Sequence, residues 1–166
     1  SIKTNCITEN RRGRCVFEYI YFAREDSYID NIGVYNARFK SGEYLAKDYP
    51  VDADLVIGVP SSGNSAAKGY SKASNIPYAE AFIKNGYIGR TFIKPNQDER
   101  RLAVKLKLSV LKEIVKDKRI VLIDDSIVRG STTKEIISLL KDAGAKEVHI
   151  RISSPPFLWP CYFGID

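Results

Sequence analysis

The sequence predicts an α/β domain, a mainly parallel twisted sheet flanked by helices. Two short apolar runs, LVIGV at 55–59 and IVLI at 120–123, have the length and composition of strands buried on both faces, as parallel strands are. They alternate with helical stretches at 65–74 and 132–143, and strand–helix alternation is the pattern of a parallel sheet. Each apolar run also ends in a turn rich in Gly, Ser and Asp, and ligands of such sheets bind outside the carboxyl ends of the strands.

The elements follow in order. Residues 1–14 are polar and predict an irregular lead-in. VFEYIYFA at 16–23 is aromatic and β-branched and predicts a strand. Residues 29–48 carry a helical period that Gly33 and Gly42 interrupt. The run at 55–59 is a strand bounded by Asp54 and Pro60, 65–74 a small-residue helix, and 78–83 a further strand. Residues 84–105 are polar, basic and without period, and a stretch that long inside a compact domain predicts a mobile lid. Residues 106–115 predict a helix, 119–123 a strand, 132–143 a helix ended by Gly144, and 148–152 a last strand.

The 166 residues suit one domain, spanning 1–166. No apolar stretch approaches the 18 or so residues of a membrane span. The N-terminus lacks the apolar core of a signal peptide. Three scattered cysteines, Cys6, Cys15 and Cys161, form no disulfide framework and fit a reducing cytoplasm. The one histidine, His149, lies in a strand-like EVHIRI and reads as structural, so metal sites needing several histidines are excluded. A net charge of +6 fits an anionic small substrate, or simply a lysine-rich solvated face. No dense basic arm or aromatic-basic motif points to nucleic acid.

Two loops carry the chemistry. In IVLIDDSIVRGSTT (120–133) a strand runs into paired carboxylates, Asp124 and Asp125, then Arg129, Gly130, Ser131, Thr132 and Thr133 at a helix start. A small-residue turn before a helix N-terminus presents amides and the positive end of the helix dipole to a phosphate. The carboxylates repel phosphate and suit ribose hydroxyls and a magnesium ion instead. Because side chains alternate along an extended chain, the two should not share one task. The other loop, GVPSSGNSAAKG (58–69), has Gly58, Gly63 and Ser65 at nucleotide-loop spacing, but Asn64 stands where that motif needs lysine. Alone, each loop also reads as an ordinary turn or helix cap. Together they suit one ligand with two phosphate groups.

IVLIDDSIVRGSTT resembles the phosphoribosyl pyrophosphate signature of type I phosphoribosyltransferases. CVFEYIYFAREDS (15–27), VPSSGNSAAKGYSKASNIPY (59–78), IKNGYIGRTFIKPNQDERRLAVKLKLS (83–109) and RISSPPFLWPCYFGID (151–166) resemble the amidophosphoribosyltransferases in particular. The resemblance implies a type I phosphoribosyltransferase-like fold and transfer of an amino group from ammonia to C1 of phosphoribosyl pyrophosphate, the first step of purine biosynthesis. It implies that Asp124 and Asp125 engage ribose and magnesium, that Arg129–Thr133 hold the 5′-phosphate, and that Ser61, Ser62 and Gly63 hold pyrophosphate, Ser62 at a magnesium-linked position. It implies that Lys84, Tyr87, Arg90, Ile93 and Lys107 belong to the closing segment. Ser61 and Gly86 depart from the Asp and Arg usual in the family, which bears on pyrophosphate contacts and on the lid's charge. The family's N-terminal glutaminase domain is expected to be absent from this chain, leaving it as a partner domain or subunit. Purine nucleotide inhibitors and a homo-oligomer are further implications. Cys15 and Cys161 match two of four cysteines that hold a [4Fe–4S] cluster in one branch, so a cluster requires further C-terminal cysteines. The alternatives are a transferase acting on a nucleobase, or a sensor that binds phosphoribosyl pyrophosphate without turnover.

Overall fold

The computed structural model describes residues 13–86, 107–128, 130–156 and 158. Tyr87, Arg90, Ile93, Arg129 and Cys161, most of the predicted lead-in and most of the predicted lid lie outside the described residues.

The sheet that organises the molecule is parallel, as predicted. It consists of β3 (Leu55–Gly58), β6 (Arg119–Asp124) and β7 (Glu147–Ile152), with β6 in the centre. Leu55 pairs with Ile120 and Gly58 with Ile123, while Asp124 pairs with Ile152. Alternation along the two buried strands sends side chains to opposite faces. Leu55, Ile57, Ile120 and Leu122 pack with Ile136 and Leu140 of α4 (Ser131–Asp142). Val56, Val121 and Ile123 pack with Ala66, Ala67 and Tyr70 of α2 (Gly63–Ser74) and with Ala46 of α1 (Val34–Asp48). Both faces are therefore covered, which is why the strands read as unbroken apolar runs.

Helix α1 runs through Gly42 without a break. A Cβ at Gly42 would lie 1.9 Å from the Ala66 carbonyl oxygen, and one at Gly69 would lie 1.9 Å from that of Phe39. The two glycines let α1 and α2 touch backbone to backbone, so here they mark close packing rather than a helix end. Gly33 caps α1 from a small hairpin, β1 (Tyr28–Ile29) with β2 (Ile32–Gly33). Asp30 and Asn31 form its two-residue turn with φ of 50° and 64°, the left-handed pair that matches strand twist.

Two further expectations fail. Residues 16–22 of the run 16–23 are helical, not a strand, and include a π-helical turn, Glu18–Phe22, which Ala23 ends in extended backbone. Arg38 of α1 donates through Nε to the Tyr19 carbonyl and through Nη2 to the Ala23 carbonyl, 2.8 Å each. The Ala23 amide donates back to Glu18 at 3.0 Å. Backbone groups satisfied in this way need no neighbouring strand, so tertiary contacts override the aromatic strand propensity. Residues 106–115 are not one helix either. They form β5 (Leu108–Val110) and a single turn, α3 (Lys112–Val115). β5 pairs antiparallel with β4 (Phe82–Lys84), burying Leu108 and Phe82 in the core. The predicted strand at 78–83 is thus β4 plus an isolated parallel bridge, Tyr78 to Val56. Among the described residues no helix is long and apolar enough to cross a membrane.

Candidate active site

Parallel pairing of β3 and β6 brings their following loops side by side. After β3 the chain turns through residues 59–62 into α2. The Val59 amide donates to the Ile123 carbonyl at 2.9 Å, the Gly63 amide to Val59 at 3.0 Å and the Asn64 amide to Ser61 at 3.3 Å. Gly63 sits directly on β6, where a Cβ would come within 2.6 Å of the Ile123 carbonyl oxygen. Only glycine allows the start of α2 to approach the end of β6 this closely. The peptide bond joining Pro60 to Ser61 is cis.

At the end of β6 stand the two predicted carboxylates. Asp125 is buried and accepts hydrogen bonds from Ser126 Oγ at 2.6 Å and from Ser62 Oγ. Ser62 thus ties the first loop to the second through Asp125. Asp124 accepts from the Asp125 amide at 2.9 Å. Burial, and then the neighbouring Asp125 charge, push the Asp124 carboxyl up to about 7, while that amide hydrogen bond opposes the rise. From the other flank, the amides of Ser153 and Ser154 donate to the Asp124 and Asp125 carbonyls at 3.0 and 2.9 Å. The carboxylates do have different surroundings, as alternation requires. Asp125 is engaged by hydroxyls, whereas Asp124 carries the less favourable charge.

The second loop ends at Gly130, whose φ of 69° turns the chain into α4. The first bond inside this helix runs from the Lys134 amide to the Gly130 carbonyl, so the amides of Ser131, Thr132 and Thr133 precede it. No acidic residue occupies that first turn. Ile136 and Leu140 anchor the helix in the core and fix the direction of its N-terminus. A phosphate suits this end of the helix.

Lys84 and Lys107 lie at the two ends of the predicted closing segment. Lys84 pairs in register with Leu108, and the Asn85 amide donates to the Lys107 carbonyl at 2.8 Å. The intervening chain therefore leaves and returns at one place. Sequence reasoning missed Ser126, although its position directly after the acidic pair was a signal. It also missed Arg38, whose burial inside α1 left no mark in the pattern.

Among the described residues no cluster of three or more His, Cys, Asp or Glu forms a metal cage. The donors do fit a magnesium ion, which is held by one or two carboxylates and takes its other ligands from substrate phosphates and water. Asp124 and Asp125 would hold it, and a cation there offsets the burial and the neighbouring Asp125 charge that raise Asp124. Cys15 is an exposed free thiol.

A family model described as the phosphoribosyl transferase domain matches residues 31–153. An amidophosphoribosyltransferase of Archaeoglobus fulgidus is 58% identical over 156 residues, which cover 94% of this chain and 34% of that protein. Its counterpart in Pyrococcus horikoshii is 55% identical over 164 residues, 99% of this chain and 36% of that protein. The chain thus spans about a third of the length of these relatives. Among solved structures, a glutamine phosphoribosylpyrophosphate amidotransferase from B. subtilis, complexed with ADP and GMP, is 50% identical with a TM-score of 0.85, covering 96% of this chain and 35% of that one. A structure described as the allosteric regulatory enzyme of purine biosynthesis is 53% identical with a TM-score of 0.80, covering 89% and 32%. The chain therefore belongs to the phosphoribosyl transferase domain family, and the amidophosphoribosyltransferases named above are similar to it over nearly its whole length.

Proposed function

We propose that this domain binds phosphoribosyl pyrophosphate across the two loops and transfers an amino group from ammonia to C1 of the ribose, releasing pyrophosphate and forming phosphoribosylamine for purine biosynthesis. The observation that carries the reading is the junction of the loops, with Gly63 on the Ile123 carbonyl and Ser62 on Asp125. Two phosphate-type loops are joined at a carboxylate pair, which suits a ligand with phosphate at both ends and hydroxyls between.

The ammonia lone pair forms the C1–N bond as the C1–O electron pair leaves with pyrophosphate, and the nitrogen then sheds a proton. Positive charge develops on the ring and negative charge on the leaving group. In this reading Asp124 and Asp125 lie on the sugar side and favour the developing cation. Ser61, Ser62 and Gly63 hold the leaving group, with Lys84, Lys107, Tyr87, Arg90 and Ile93 from the closing segment. Residues 129–133 hold the 5′-phosphate and keep C1 in place. Magnesium, when bound, neutralises part of the pyrophosphate charge. Ammonia, the unprotonated form of ammonium, attacks unaided, so no general base is required. Water is the competing nucleophile, and excluding it is the task of the closing segment.

The test is pyrophosphate release by this chain from phosphoribosyl pyrophosphate with magnesium and ammonium. Release that depends on ammonium is expected. Tight binding of phosphoribosyl pyrophosphate without release would favour a sensor, and release dependent on a nucleobase would favour the other transferase class.

A further inference from the structure

The segment before α1 reaches the first loop through a polar chain that the reaction described above does not use, with Ser65 and Arg38 buried and the Glu25 side chain between them 41% exposed. Ser65, the third residue of α2, is 1% exposed, and its Oγ donates to Glu25 Oε1 at 2.7 Å. The same carboxylate oxygen lies 3.6 Å from Nη1 of Arg38, a guanidinium that is itself buried. Arg38 is fixed by the Tyr19 and Ala23 carbonyls. The Tyr35 amide, at the start of α1, donates to the Glu25 carbonyl at 3.1 Å. Glu25 is therefore held from its own backbone and by Arg38, and it in turn holds the first turn of α2.

That turn carries no acidic residue of its own. A carboxylate at a helix N-terminus is favourable, and here it is supplied by a distant segment. A buried hydroxyl without an acceptor is costly, so Ser65 has a strong reason to keep Glu25 as its partner. The turn begins one residue after Ser62, so a tilt at Ser65 is transmitted directly to the loop that grips the leaving group.

We propose that Glu25 is a positioning residue for the loop at Ser61–Gly63, acting through Ser65, so that it sets the affinity for pyrophosphate and not for the sugar-phosphate end of the ligand. This rests on the assignment of that loop to pyrophosphate. The test is calorimetric titration of the chain with magnesium pyrophosphate and, separately, with ribose 5-phosphate. Ser65→Ala and Glu25→Ala are each expected to weaken pyrophosphate binding about tenfold, the scale of one charge-assisted hydrogen bond, with ribose 5-phosphate binding unchanged within about twofold. Glu25→Gln, which keeps an acceptor for Ser65, is expected to stay within about threefold of the unaltered chain. The Ser65→Ala and Glu25→Gln variants leave Arg38 with its carbonyl partners, so the test survives if Glu25→Ala fails to fold. Unchanged pyrophosphate affinity in Ser65→Ala, an equal loss of both ligands, or a Glu25→Gln defect as large as that of Ser65→Ala overturns the proposal. An unaltered chain that binds neither ligand overturns the functional reading instead.

Discussion

Replacing Gly63 with Ala tests the junction of the two loops directly. The new Cβ would lie 2.6 Å from the Ile123 carbonyl oxygen, and ordinary contact begins near 3.4 Å. Something must move by about 0.8 Å, close to the 1 Å misplacement that costs about a hundredfold in rate. Ile123 cannot be the part that yields. It lies in the central strand, its side chain is fully buried, and its carbonyl already accepts from Val59. The displacement falls on the start of α2, and it carries Ser62 away from Asp125. Crowding of this kind costs about 1–3 kcal/mol of stability, slightly offset by the better helix propensity of alanine. The expected result is a folded chain whose ammonium-dependent pyrophosphate release, as kcat/KM, falls about a hundredfold. Steady-state kinetics and a urea unfolding curve on the same preparation check both halves. A folded variant retaining a third or more of the activity would refute the claim that this contact sets the site.

Asp125→Asn presents an amide where two hydroxyls now donate, and it removes a charge from the carboxylate pair proposed to face the sugar; ammonium-dependent transfer is expected to fall on the order of a hundredfold with the circular dichroism spectrum unchanged. Gly42→Ala places a methyl 1.9 Å from the Ala66 carbonyl oxygen and is expected to destabilise the chain by about 1–3 kcal/mol or more, read from the urea midpoint. Side-chain and backbone hydrogen bonds from Arg119 hold the Asp54 carboxyl at about 2, below its ordinary 3.8. A carboxyl depressed on folding stabilises the folded state above pH 3.8 and loses that contribution as the pH falls towards 2, so Asp54→Asn should flatten the unfolding midpoint's dependence on pH in that window.

The parts of the fold legible in the sequence are those whose pattern records burial. β3 and β6 are apolar on both faces because helices cover both, and α4 shows its Ile136 and Leu140 face. The segments misread are those fixed by single contacts far away in sequence. Nothing in VFEYIYFA reveals that Arg38 will satisfy its carbonyls, and nothing in LKLSVLKEIV reveals that Phe82–Lys84 will pair with it. Gly42 looked like a break because a lone sequence cannot show the helix lying against it. At the site the acidic pair and the two turns were legible, since chemistry concentrates there in consecutive residues. The hydroxyl link from Ser62 to Asp125 was not, because it spans the crossover between two strands.

Both acidic groups hang from β6, which is bracketed by β3 and β7 and has no free edge of its own. Peeling an outer strand leaves that middle strand tethered on its remaining side, so partial fraying spares the acidic pair. Displacement of the acidic pair on heating should then coincide with the cooperative melting of the sheet and not precede it. An earlier decline in activity would point to the outer strand β3, whose loosening draws Ser62 away from Asp125.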